Sequence, residues 1–242
     1  MSKTEFVSPE GFRIDGRRPS EIRTFRCQVG GVSQNADGSA YVEMGCTKAL
    51  AYVYGPKEAR RGAMKTQCGV LTCEVSLAPF STADRRKRSR YDRQTVELAL
   101  TIRQAFESSI LLELYQRAQI DMFVHILETD GGHKAAAINA CNLALIDAGI
   151  NIRDSLVACS AGYIDGRPIV DMNQAEINAG GVELLLGVFA RTRKVSVIEM
   201  DSKITPEVFQ ETYEACIAAC RDLYTAMETA VNDTALRLVH SK

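Results

Sequence analysis

The run "DGGHKAAAINACNLALIDAGI", Asp130 to Ile150, begins with two glycines and turns into an alanine-rich helical pattern that stops at Gly149. A glycine pair at a helix mouth is a natural anion seat, because the first-turn N–H groups have no intrahelical partner and point at whatever binds. His133 and Lys134 come next, an odd choice for a site that must grip phosphate. The spacing is neither the G-x-G-x-x-G of a dinucleotide fold nor the G-x-x-x-x-G-K-[ST] of a P-loop. Taken alone, Gly131-Gly132 suits a tight chain reversal equally well. His133 reads as a polar rim residue, since the chain has three histidines and no serine or cysteine nucleophile with a recognisable partner nearby.

A second place for chemistry is Asp171 in "PIVDMNQAEINAGG", at the end of a strand-like run and followed by Asn173 and Glu176. A carboxylate there can hold a metal or donate a proton, or it can cap a helix or turn. Spacing does not separate these roles. The eight cysteines form no C-x-x-C knuckle and lie mostly in apolar runs, so reduced thiols are expected and zinc is not.

The third feature is charge. The net charge of −1 hides an asymmetry: residues 1–105 carry 18 Lys and Arg against 11 Asp and Glu (+7), and residues 106–242 carry 11 against 19 (−8). Such a split suits a chain that meets a polyanion with one half, or two halves that complement each other. Six basic residues fall in the nine positions from Arg85 to Arg93, and a second basic loop from Lys57 to Lys65 holds Arg60 and Arg61. These are solvated connections or a ring of positive charge that tracks a nucleic-acid backbone.

The elements that must position these residues follow from periodicity. "CQVGGVSQ", "SAYVEMG" and "KALAYVYGP" predict an antiparallel meander, and "VLTCEVSLAPF" a further strand. Residues 95–114 predict a helix with Val96, Ala99, Leu100, Arg103 and Phe106 on its apolar face. "AQIDMFVHILET" predicts a strand burying Ile120, Met122, Val124 and Ile126. "SLVACSAGYIDGRPIVDM" predicts a hairpin across Asp165-Gly166, and "VELLLGVFA" and "KVSVIEMD" two more strands. A long helix starts at Thr205 with Pro206 in its first turn and an apolar face of Phe209, Tyr213, Cys216, Cys220, Leu223 and Met227. The whole is an α+β chain with mixed or antiparallel sheets packed on helices. It is expected to form one domain over 1–242, with an extended surface tail over 1–20 and a long helix within 203–242. No run is long and apolar enough to span a membrane, and the N-terminus has no secretory h-region.

The succession "SPEGFRIDGRRPSEIR", "ADGSAYVEMGCTKALAYVYGPKEAR", "APFS", "DRQTVELALTIRQAFE", "RAQIDMFVHILETDGGHKAAAINACNLALIDAGI" and "VACSAGYIDG" resembles the RNase PH family over nearly the whole chain. Within it the resemblance is to the RNase PH-like ring subunits of the eukaryotic RNA exosome. Active members are phosphorolytic 3′-to-5′ exoribonucleases, in which inorganic phosphate attacks the last phosphodiester bond. That chemistry rests on positioning and charge stabilisation.

The resemblance implies two adjacent arginines at the helix start, where this chain has Arg93 and Gln94. It implies Ser or Thr and then Arg after the glycine pair, where this chain has His133 and Lys134. It implies two aspartates six apart, where this chain has Asp171 and Ile177. Gln94 lacks the cationic fork of arginine, Lys134 keeps charge without the fork, and Ile177 has no carboxylate. The expected outcome is a degenerate phosphate site (Gln94, Gly131, Gly132, His133, Lys134) with Asp171 as a remnant, no metal and no cofactor. Glu176, one residue before the vacant position, is the one carboxylate that a local bulge could bring in; the alternative is therefore an active phosphorolytic exoribonuclease. The resemblance further implies a hexameric ring of paired RNase PH-like subunits, RNA-binding cap subunits, a separate hydrolytic exonuclease, and residence in nucleus, nucleolus and cytoplasm. Single-stranded RNA would be held without sequence preference by Arg60 and Arg61 at the entry and by Arg93 and Lys134 deeper along the path.

Overall fold

The computed structural model describes residues 6–8, 10–59, 68–85, 87 and 92–240. The meander forms as its alternation requires, with β1 (Phe25–Val29), β2 (Gly38–Met44) and β3 (Thr47–Glu58) antiparallel. After β4 (Val70–Leu77) and helix α1 (Arg93–Ser109), β5 (Ala118–Glu128) returns between β3 and β4. β4 and β5 are parallel, which a crossover helix between them makes possible. Ile120, Met122, Val124 and Ile126 of β5 are all buried, as the period of two predicts.

Helix α2 (His133–Asp147) follows, then β6 (Leu156–Ile164) and β7 (Arg167–Val170) as a hairpin over Asp165 (φ 50) and Gly166 (φ 78). A short helix α3 (Gln174–Asn178) leads to β8 (Val182–Phe189) and β9 (Val195–Met200). The chain closes with α4 (Pro206–His240). The first sheet has the order β1-β2-β3-β5-β4 and the second, wholly antiparallel, β7-β6-β8-β9.

Helix α2 lies between the two sheets, and every residue from Ala135 to Leu145 is buried. A helix apolar on all sides belongs in an interior, and the small side chains of Ala136, Ala140 and Ala144 let strands come close. At Gly38 of β2 an added Cβ would stand 2.2 Å from the Ala144 carbonyl oxygen, so that approach requires glycine. Two buried asparagines tie α2 to β6. Asn139 donates to the Ala158 carbonyl and accepts from the Ala158 N–H, both at 2.8 Å, and Asn142 donates to Ser155 Oγ at 2.7 Å. One hydrophobic core joins residues of both sheets, α1, α2 and α4; a smaller cluster gathers Val7, Ile164, Ile169 and Met172.

Two expectations need correction. Helix α1 ends at Ser109, with a separate 3₁₀ turn at Leu112–Leu114, and it buries Leu98, Ile102, Ala105 and Phe106. Val96 and Leu100 are exposed, because β4 and β9 flank the helix and select the adjacent stripe. The N-terminal segment is not only a surface tail: Arg13 and Arg23 are buried, at 3% and 8% exposure, because carboxylates of the second sheet region await them. On α4 the predicted stripe is buried from Cys216 to Met227, while Phe209 and Tyr213 are half-buried and stacked on each other.

Candidate functional site

The glycine pair does form a helix mouth. Gly131 (φ 77) and Gly132 (φ 63) are both left-handed, and α2 begins at His133 with Gly132 as its N-cap, a residue that has no side chain to cap the helix. The turn is closed from behind: a Cβ on Gly131 would stand 2.4 Å from the Met172 carbonyl oxygen, and one on Gly132 would stand 3.0 Å from an Arg23 nitrogen. The first turn of this fifteen-residue helix, its positive end, contributes His133 and Lys134 to the wall of an open cavity of about 250 Å³.

That cavity brings Gln94 from the start of α1 beside His133 and Lys134 from α2, three of the five residues of the expected degenerate site; Gly131 and Gly132 are not among its lining residues. It also collects Glu97 of α1, Glu199 of β9 and Asp201 just beyond it. Lys134 Nζ lies 2.5 Å from Glu199 Oε1, so the ammonium is already paired. Glu183 of β8 stands close by. Burial pushes its carboxyl pKa up, and the charges of Glu199 and Asp201 push it further against the pull of Lys134. The walls of a cavity placed to receive an anion are thus acidic. Arg93 is exposed at the first position of α1 and is not among the lining residues.

Asp171 sits behind the cradle, fully buried, with φ 51. Its Oδ2 accepts from the backbone N–H and Nε of Arg23, both at 2.9 Å, and its Oδ1 from Arg23 Nη2 at 2.6 Å. Arg23 also donates to the carbonyls of Asp130 and Gly131. Burial opposes the Arg23 charge, but the hydrogen bonds and charge of Asp171 outweigh it and raise the guanidinium pKa. In this arrangement Asp171 is the counter-ion that holds Arg23 under the glycine turn.

Glu176 is committed in the same manner. Its carboxylate receives Arg13 through Nε at 2.7 Å and through Nη2, and it accepts from the Asn173 N–H at 2.9 Å. Asn173 Oδ1 accepts from the Glu176 N–H in return, a complete capping box on α3. A bulge that carried Glu176 to the cavity would break the box and strand Arg13 without a counter-charge. Ile177 instead packs on the small cluster of Val7, Ile164, Ile169 and Met172.

Arg60, Arg61 and three of the six basic residues between Arg85 and Arg93 (Arg86, Arg88 and Arg90) lie outside the described residues. Sequence reading missed Arg13, Arg17, Arg23, Glu97, Glu199 and Asp201. The usable signal was in "GFRIDGRRPSEIR", where several arginines share a segment with too few acids to pair them, so carboxylates had to come from elsewhere. Among the described residues no group of three or more His, Cys, Asp or Glu is arranged to hold a metal ion, all eight cysteines are free, and no helix is long and apolar enough to cross a membrane.

Two sheets packed about a buried helix, with a left-handed glycine pair at its mouth, define an α+β protein of the RNase PH fold. The chain belongs to the 3′ exoribonuclease family: the model of its domain 1 matches residues 21–151 and that of its domain 2 residues 154–218. The chain is 43% identical over 240 residues to the exosome complex component RRP41 homolog of Arabidopsis thaliana, covering 98% of this chain and 99% of that one. Among solved structures, rice Rrp46 superposes with a TM-score of 0.80 at 26% identity, covering 90% of this chain and 99% of that one. The Archaeoglobus fulgidus exosome with RNA bound to the active site has a chain that superposes at 0.77, over 89% and 92%, and at 21% identity it speaks for the fold alone.

Proposed function

We propose that this chain is a non-catalytic structural and RNA-path subunit of an exosome core ring, serving 3′-to-5′ RNA processing and degradation by an associated hydrolytic exonuclease. Its extensive likeness to exosome complex components supports membership of such a complex. The observation that carries the non-catalytic reading is the Lys134–Glu199 pair within a cavity lined by further carboxylates. Phosphorolysis needs a bound phosphate dianion, and acid walls repel one at the very place where the helix end would attract it. The engagement of Asp171 by Arg23 and of Glu176 by Arg13 adds support, since neither carboxylate is free to move a proton.

In this reading paired RNase PH-like subunits complete a hexameric ring, and cap subunits present single-stranded RNA to it. Arg60, Arg61 and Arg93 hold the RNA backbone, whereas Lys134, expected deeper along the path, is held by Glu199. The compartments proposed are nucleus, nucleolus and cytoplasm. The assembled ring without its hydrolytic exonuclease, given phosphate and Mg²⁺, should release no nucleoside diphosphates from single-stranded RNA. Release that depends on phosphate and is lost on Lys134→Ala would establish the active alternative.

A further inference from the structure

A groove of about 520 Å³ runs between the N-terminal segment, the start of β7 and α4. Phe12, Pro19, Pro168 and Ala215 supply its apolar surface, and Phe12 is 44% exposed. Arg18 and Arg167 stand at its sides, both exposed. Among the described residues neither guanidinium has a hydrogen-bond or ion-pair partner; Arg18 bonds only through its backbone, its N–H donating to the Glu21 carboxylate and its carbonyl accepting from the Glu21 N–H. The other arginines of this segment, Arg13, Arg17 and Arg23, are all engaged by carboxylates.

The walls are held firmly. The Ser8 N–H donates to the Phe12 carbonyl at 2.8 Å, and the Phe12 N–H donates to Ser8 Oγ at 3.1 Å. The Val170 N–H donates to the Pro19 carbonyl at 2.9 Å, which fastens the segment along β7. Beneath it, buried Arg13 is locked to Glu176 and to the Val170 carbonyl. Gly11 has φ 89, and a Cβ there would stand 3.3 Å from Arg167 Nη1, so the absence of a side chain leaves room for the guanidinium at the groove wall.

We propose that this groove receives an extended peptide segment from another subunit, carrying a carboxylate beside a bulky apolar side chain. The apolar side chain would cover Phe12 and the two prolines, and the carboxylate would take the forked donors of Arg18 or Arg167. Charge decides between a peptide and RNA. Glu10 lines the groove, and Glu211 lies one helical turn before Ala215 on the same face of α4, with Glu214 beside it. A single carboxylate can sit between the arginines at a distance from these acids, whereas a continuous phosphate backbone would run along them. The proposal builds on the reading of the chain as a subunit and assigns one surface of it.

The test uses the full chain co-expressed with its ring neighbours and a fluorescent peptide with one carboxylate, acetyl-Ser-Asp-Phe-Leu-Ser-amide, as probe. Binding should be saturable and at least tenfold weaker to Arg18→Glu/Arg167→Glu and to Phe12→Ser, with the thermal midpoint of the assembly unchanged. The analogue with Asn in place of the Asp should bind the parent protein as weakly as the probe binds the charge-reversed one. Equal binding of both peptides, no binding of either, or displacement of the probe by oligoadenylate would overturn the proposal. So would self-association of the chain that the same substitutions abolish. A ring that assembles normally while the probe fails to bind would remove the groove assignment and leave the subunit reading standing.

Discussion

Arg13 and Glu176 lie 163 positions apart in sequence and meet in the interior, with side-chain exposures of 0% and 1%. Two charges withdrawn from water in this way hold each other only while both are present. Removing one leaves an uncompensated buried ion, whereas replacing both with apolar groups removes the problem altogether.

Glu176→Ala should therefore destabilise the chain by about 3–5 kcal/mol. Asn173→Ala, which removes only the reciprocal cap on α3, should cost about 1 kcal/mol. The double variant Arg13→Met/Glu176→Leu should recover much of the loss of the single one. Urea unfolding followed by circular dichroism checks this, and a loss below about 1 kcal/mol for Glu176→Ala would show that the pair holds nothing.

Glu183 sets a pH dependence of opposite sign to the usual carboxylate. Burial raises its folded pKa, and its acidic neighbours add to this. The folded state therefore keeps a proton that the unfolded state gives up. Stability from this group is fully present below the ordinary glutamate pKa of about 4.3 and is lost as pH rises through the folded value. Glu183→Gln should raise the thermal midpoint at pH 7 and make no difference below about pH 4. A variant less stable than the parent at neutral pH would mean that the attraction to Lys134 outweighs desolvation.

Arg60→Glu with Arg61→Glu tests the RNA path. If both contact phosphates, the slope of log affinity against log salt should flatten by roughly 0.7 for each lost contact, for all RNA sequences alike. Tyr91 is the only aromatic of the two basic loops, so base stacking should contribute little. Ring assembly should be unchanged by mass measurement. Undiminished degradation of long-tailed RNA by the ring with its hydrolytic exonuclease would place the path elsewhere.

Much of the architecture was legible in the residues. The meander, the alternation of β5, the hairpin at Asp165-Gly166 and the Pro206 start of α4 are local patterns that follow from turn chemistry and side-chain period. The glycine pair was legible as a helix mouth for the same reason, because positive φ at two successive positions is cheap only for glycine. What Gln94, His133 and Ile177 lack, a guanidinium, a small hydroxyl and a carboxylate, was legible because it follows from the side chains themselves.

Partnership was not legible, because a charge in a linear sequence carries no sign of which distant charge will face it. Lys134 looked like a surviving cation until Glu199, 65 positions away, was found against it. Asp171 and Glu176 looked like candidates for proton transfer until Arg23 and Arg13 closed on them from 148 and 163 positions away. On α1 the period of 3.6 marked a helix, but Val96 and Leu100 were placed inside when the flanking strands turn them outward. Local sterics and hydrophobic period act within a few residues, so the sequence alone determined the elements and the cradle. Electrostatic pairing and the choice of buried stripe act across the fold, and only the tertiary structure decided that acids line the cavity beside the first turn of α2.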